Sequence, residues 1–136
     1  MLWLLEEASL RTDPAEHRQA LTFVTAGGGF SGVETAGAIN DLVREAVRYY
    51  PELSDELIRV IIVHPGEVLL PELGEELGRY AERKLRERKV EVLKGARVAG
   101  YDGLRVTLAD GESIPAATIV HTKPFDSSHV QLIERT

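Results

Sequence analysis

Cysteine is missing from all 136 residues. That excludes disulfides, thiolate metal sites and any redox-active cysteine pair. A surplus of positive charge is missing too: 16 lysines and arginines stand against 22 aspartates and glutamates, a net charge of −6. A nucleic-acid partner therefore has no electrostatic support. No apolar run approaches the length that spans a bilayer, and the opening Met-Leu-Trp-Leu-Leu is too short for a span or a secretory signal. A soluble, cytoplasmic protein with no membrane span is expected. His17, His121 and His129 are scattered without metal-ligand spacing, so no metal site is expected. Gly29-Phe-Ser-Gly-Val33 stops short of G-x-S-x-G because position 33 is valine, and no catalytic residue is assigned. What remains suits one domain of ordinary size, with 43% hydrophobic residues for a core.

The informative stretch is Leu-Thr-Phe-Val-Thr-Ala-Gly-Gly-Gly-Phe-Ser-Gly over residues 21–32. Residues 21–26 are apolar and β-branched and read as a buried strand. Gly27, Gly29 and Gly32 then match G-x-G-x-x-G. Val33, Ala36, Ile39, Val43, Ala46 and Tyr50 follow near helical spacing. Strand, glycine turn and helix in this order form the context that a dinucleotide fingerprint requires. Gly27 lets the strand turn sharply, Gly29 lets backbone approach a pyrophosphate, and Gly32 lets the helix lie close on the strand. The helix N-terminus offers N–H groups and the positive end of its dipole to phosphates. The expected cofactor-binding set begins with Gly27, Gly28, Gly29, Phe30, Ser31 and Gly32.

The rest of the chain is read in order. Residues 1–10 suggest half of an amphipathic helix, packed on the domain's own core or once packed on a neighbouring domain. Asp13-Pro14-Ala15-Glu16 predicts a helix start, with Asp13 as N-cap and Glu16 reaching back. The helix after the glycines is expected over residues 32–49, ended by Pro51. Residues 59–63 predict a second strand parallel to the first. A second helix is expected over residues 73–88, with Leu73, Leu77, Tyr80, Ala81 and Leu85 as its apolar face, and a third strand over residues 90–93. Asp102-Gly103 and Asp110-Gly111 mark hairpin turns. They divide a three-stranded antiparallel meander over residues 97–101, 104–108 and 112–115. Residues 118–121 return as a strand to the parallel sheet. The fold class is α/β: a Rossmann-like parallel sheet flanked by helices, with the meander added. The organisation is a helical connector over residues 1–20, an NAD(H)-binding domain over 21–122 and a tail over 123–136.

This order resembles the NADH-binding domain of flavoproteins with two dinucleotide domains, and above all the type II NADH:quinone oxidoreductases. The resemblance covers residues 5–121. It rests on Thr12-Asp-Pro-Ala-Glu, on Gly27 to Gly37 including Glu34, Ala36 and Gly37, on His64-Pro-Gly-Glu-Val-Leu-Leu-Pro71, and on Ala109-Asp-Gly and Ile114-Pro-Ala. It implies NAD(H) as cofactor and Glu34 near the nicotinamide. FAD is implied only for a full-length relative, on another domain with its own glycine motif. It also implies that both ends of this segment enter the flavin domain. Residues 122–128 depart from the family pattern at that boundary.

Some residues carry two readings. Glu34 is expected in the first helical turn, either stabilising the dipole or serving the cofactor. His64 ends the second strand, where this kind of fold often has an acid for the adenosine ribose; Glu67 is near enough to replace it. NADH is favoured over NADPH only by the resemblance and by the lack of arginine in residues 64–70. Three functions stay open: the nucleotide domain of a flavin-dependent NADH dehydrogenase, inactive alone; a non-enzymatic interaction module; and an S-adenosylmethionine-dependent transferase. The meander and Glu34 argue against the last. Besides the dinucleotide, the expected partner is a second copy of the chain or a lost flavin domain. Trp3, Leu5, Pro124, Phe125, Val130, Leu132 and Ile133 are the candidate contact residues.

Overall fold

A computed structural model of the chain describes residues 2–11, 13–121 and 131–134. Two helices open it, α1 (Leu2–Ser9) and α2 (Pro14–Ala20). The alternating part follows: β1 (Thr22–Ala26), α3 (Phe30–Ala46), β2 (Arg59–His64), α4 (Glu75–Glu87) and β3 (Val90–Lys94). A meander of β4 (Val98–Tyr101), β5 (Arg105–Leu108) and β6 (Ser113–Pro115) precedes β7 (Thr118–His121) and β8 (Gln131–Glu134). The main sheet runs β3-β2-β1-β7-β8; the meander is a separate three-stranded sheet. β3, β2, β1 and β7 are mutually parallel, and β8 adds antiparallel to β7. The expected α/β architecture is present. The stretch expected to be a tail differs: Gln131–Glu134 form an edge strand, which protects the main-chain groups of β7.

Both faces of the central strands are covered, and the alternation of side chains sorts them. Phe23 of β1 and Val60 and Ile62 of β2 point to the helices, in one core with Val43, Leu85 and Val90. Val24, Ile61 and Val63 point the other way, against Val106, Leu108 and Ile114 of the meander. A continuous apolar strand is the expected result of such two-sided burial.

The meander's turns are closed by their own aspartates. Asp102 accepts the N–H groups of Leu104 and Arg105, both at 2.8 Å. These bonds hold its carboxyl below the ordinary aspartate range. Gly103 and Gly111 sit at φ of 93° and 96°, where a side chain would be strained.

Several expectations need correction. α3 begins at Phe30, two residues early, because Gly29 caps it in an extended conformation. Glu34 therefore lies beyond the first turn, which holds no acid. On α4 the buried face is Gly78 and Leu85, with Ala81 half-buried, whereas Leu77 and Tyr80 are about half exposed, as is Leu73, which lies before the helix in the turn Pro71–Leu73. The reason is close approach: a Cβ on Gly78 would stand 2.2 Å from the Leu69 carbonyl oxygen. The helix settles on Gly78 and Leu85, and Leu77 and Tyr80 fall to the sides. At α2, Asp13 caps Ala15 N–H at 3.0 Å as expected. Glu16 pairs with Arg11 at 3.3 Å instead of reaching back to the cap.

Of the two readings of residues 1–10, the one that places them on the domain's own core holds, and Leu5 drops out of the candidate contact residues: it is 0% exposed in the helix-side core, with Leu4 and Ala8 beside it. α1 thus packs on the domain's own core. The side chains of Trp3, Leu132 and Ile133, and the whole of Thr12, Pro124, Phe125 and Val130, lie outside the described residues. We expect Leu5→Ala to lower unfolding stability by about 2–5 kcal/mol, as for other buried leucines. Urea unfolding followed by circular dichroism measures this. A loss within experimental error would place α1 off the core.

Candidate functional site

The site forms where β1 and β2 end side by side. Gly27 turns away from β1 at φ 119°, which a residue with a Cβ rarely adopts. Its N–H donates to the Val63 carbonyl at 2.8 Å and extends the β1–β2 pairing by one step. Gly28 is buried and held from three sides. Its N–H donates to Nδ1 of His64 at 3.1 Å. Its carbonyl accepts the Leu70 N–H at 2.9 Å. A Cβ there would lie 2.6 Å from the His64 ring and 2.7 Å from Leu69.

His64 is buried at the end of β2, and both ring nitrogens are engaged by backbone. Since Nδ1 accepts from Gly28, Nε2 carries the hydrogen and donates to the Val68 carbonyl at 2.9 Å. The imidazole therefore bolts the glycine loop to the loop after β2. Leu70, in that loop, takes a left-handed conformation at φ 51°, followed by the turn Pro71–Leu73.

With Gly27 and Gly28 turned inward, the N–H groups beyond them are left to the outside. The N-cap of α3 is Gly29, which supplies no side-chain hydrogen bond, and the first intrahelical bond runs from Val33 N–H to Gly29 carbonyl at 3.0 Å. The leading N–H groups of the helix thus lack partners among the described residues. A Cβ on Gly29 would meet nothing within 4 Å, so open space lies against this backbone. That space is a cleft of about 660 Å³. Its lining comes from four chain segments: Gly27 to Gly32 after β1; His64, Pro65, Pro71 and Glu72 at and after the end of β2; Ala96, Arg97 and Val98 after β3; and His121 at the end of β7. It opens at the carboxyl ends of parallel strands, where α/β sheets bind ligands.

Of the residues expected to bind a cofactor, Gly27, Gly28, Gly29, Phe30, Ser31, Gly32 and His64 share this cleft. Phe30 is 61% exposed, with its ring available to a ligand. Glu34 and Glu67 are exposed and stand outside the cleft lining. Arg97 and Glu72 were not anticipated. Arg97 was assigned to the meander, yet β4 starts one residue later. No His, Asp and Glu grouping that could hold a metal occurs among the described residues. None of the described helices is long and apolar enough to cross a membrane.

The bolt can be tested by a mutant cycle. His64→Ala leaves the buried Gly28 N–H without its acceptor and is expected to cost about 1–3 kcal/mol of stability. Gly28→Ala forces a Cβ onto the ring and costs about the same through overpacking. The double variant is expected to be less destabilised than the sum, because removing the ring makes room for the new methyl group. Strict additivity in urea unfolding would show that the two residues are not in contact.

The pyridine nucleotide-disulphide oxidoreductase family matches residues 6–122. The chain is 36% identical over 114 residues to the type II NADH:quinone oxidoreductase NdhA of Mycobacterium tuberculosis, covering 82% of this chain and 24% of that protein. It is 31% identical over 113 residues to the type II NADH:quinone oxidoreductase Ndh of the same organism, with the same two coverages. Among solved structures, NDH2 of Plasmodium falciparum in complex with NADH superposes with a TM-score of 0.83 at 19% identity, over 90% of this chain and 26% of that one. The last likeness establishes the fold. The chain spans about a quarter of the length of the curated relatives it matches. It belongs to the pyridine nucleotide-disulphide oxidoreductase family, and within it is a partial match to the type II NADH:quinone oxidoreductases.

Proposed function

We propose that the chain binds NAD(H) in the cleft and is the nucleotide-binding part of a flavin-dependent NADH dehydrogenase. One observation carries this reading: the uncapped start of α3, presented by Gly29 to open space at the end of β1. That arrangement fits a pyrophosphate, which needs backbone donors, positive dipole and no side chain in the way. The relatives named above as NADH:quinone oxidoreductases support the same substrate.

In this reading the N–H groups from Gly29 onward hold the pyrophosphate, and Ser31 adds a hydroxyl. Phe30 lies along the dinucleotide. His64 marks the adenosine end, with Glu67 at its rim, and Glu34 belongs to the nicotinamide end. When bound, the dinucleotide supplies the hydride, and the protein supplies its placement. The flavin that accepts the hydride is proposed to sit on a part of the family protein beyond this segment, since the sequence holds a single glycine fingerprint and the NAD(H) cleft uses it. The partner is then a flavin-carrying domain, with a second copy of this chain as the other possibility. The cytoplasm is the proposed location.

Two outcomes follow. Gly29→Val fills the space against which the pyrophosphate would rest, so NADH affinity is expected to fall by at least about tenfold. Titration calorimetry reads this, and equal binding by the variant would misplace the cradle. An absence of NADH binding by the parent chain, with a folded spectrum, would favour the interaction-module reading. The isolated chain is further expected to be colourless and without NADH:quinone activity; a purified protein with flavin absorbance bands would sink that claim.

A further inference from the structure

We propose that this cleft accepts a 2′-phosphorylated nicotinamide dinucleotide, with Arg97 as the residue that reads the 2′-phosphate. The inference rests on the dinucleotide-binding reading above and goes on to name the form of the ligand.

The first observation is at the end of β2. Folds of this kind read the adenosine ribose there, with an acid that binds the 2′-hydroxyl or a nearby arginine that accommodates a 2′-phosphate. The acid is replaced by His64, and both nitrogens of its ring are occupied by Gly28 and Val68. The side chain that would bond a 2′-hydroxyl and repel a 2′-phosphate is therefore not supplied by this position.

The second observation is the backbone that carries Arg97. The Ala96 N–H donates to the His64 carbonyl at 3.0 Å, and the Gly95 N–H donates to the Gly66 carbonyl at 3.1 Å. On the other side, the Arg97 carbonyl accepts the Ala109 N–H at 2.9 Å. Arg97 is thus held from both sides, one residue from a main-chain bond to the strand end that faces the ribose. It lines the same cleft as the glycine loop.

The third observation is the state of the neighbouring charges. Lys94, the register partner of His64, is tied to Glu82 at 3.1 Å. Arg86 is tied to the same glutamate at 3.0 Å. The Arg97 side chain is exposed and has no hydrogen-bond or ion-pair partner among the described residues. It is the guanidinium left for a ligand, and a guanidinium binds a phosphate through two parallel N–H bonds. Two carboxylates oppose this effect: Glu72, which lines the cleft, and Glu67, which is exposed outside the lining. Glu72 belongs to the turn Pro71–Leu73, a different chain segment from 95–97.

The test compares NADPH and NADH binding to the full chain by titration calorimetry, in the parent and in Arg97→Gln. Arg97 is exposed, so the variant keeps its fold; circular dichroism checks that. We expect the parent to bind NADPH at least as tightly as NADH. The ratio of the two affinities should fall by about tenfold in the variant, the scale of one charge-assisted bidentate contact. Arg97→Lys should recover part of the ratio. Glu72→Gln should raise it. NADPH binding should also weaken more steeply with salt than NADH binding in the parent, and that difference should vanish in Arg97→Gln. A parent that prefers NADH by more than about tenfold, or a ratio unmoved by Arg97→Gln, overturns the proposal while leaving dinucleotide binding intact. If neither dinucleotide binds a folded chain at millimolar concentration, the dinucleotide reading falls and this proposal falls with it.

Discussion

The site depends on Gly28 and His64. Gly28 gives its N–H to the imidazole and its carbonyl to Leu70, and it has no Cβ to push the ring away. Two loops that start from different strands are thereby made one wall. A polar group buried this deeply is stabilising only if it is fully bonded, and here each nitrogen of the ring has a backbone partner. The consequence lies on the other side of the loop. Because Gly27 and Gly28 direct their N–H groups inward, to Val63 and His64, the donors that remain outward are those that open α3. The same bonds that stabilise the fold select which backbone groups are left for a ligand.

That division needs a rigid platform. The central strands supply it by being buried on both faces, with helices against Phe23, Val60 and Ile62 and the meander against Val24, Ile61 and Val63. A cross-link between helices adds to this: buried Asn40 of α3 donates to the Arg88 carbonyl at 2.9 Å and accepts from Arg44 at 2.8 Å. Arg44 in turn meets Asp55 at 2.9 Å. The two helices that follow β1 and β2 are therefore fixed to each other at the end remote from the cleft. Leu5 of α1 also packs into the helix-side core.

The parts of this structure that were legible in the sequence are those governed by local rules. β1, the glycine turn, the Asp-Gly hairpins and the return strand β7 came from propensity and turn chemistry within a few residues. What escaped depends on contacts between distant segments. On α4 periodicity counts apolar side chains and finds Ala81 and Leu85, but it also takes in Leu77 and Tyr80 and misses Gly78, which close approach to Leu69 selects. For Leu5 the sequence leaves two places, the domain's own core or a contact surface, because nothing nearby in the sequence shows that α1 folds back into the core. His64 was weighed as a ribose contact, while its bond to Gly28 spans 36 residues. Arg97 was read as part of a strand, and only the tie between Ala96 and His64 shows that it stands at the cleft.

These long-range ties share one geometric cause. In a parallel sheet, the loops that leave the carboxyl ends of neighbouring strands are forced together, whatever their separation in sequence. Val63, His64 and Lys94 lie in register or next to it, so the chain after β2 and the chain after β3 must emerge side by side. Backbone bonds between them, from Ala96 to His64 and from Gly95 to Gly66, then convert closeness into fixed position. A charge on either loop is aimed by the sheet, without any contact made by the charged side chain itself. The electrostatic character of such a cleft is therefore set by the residues at and just beyond each strand end, and here those are a glycine loop, an internally bonded histidine and an exposed arginine.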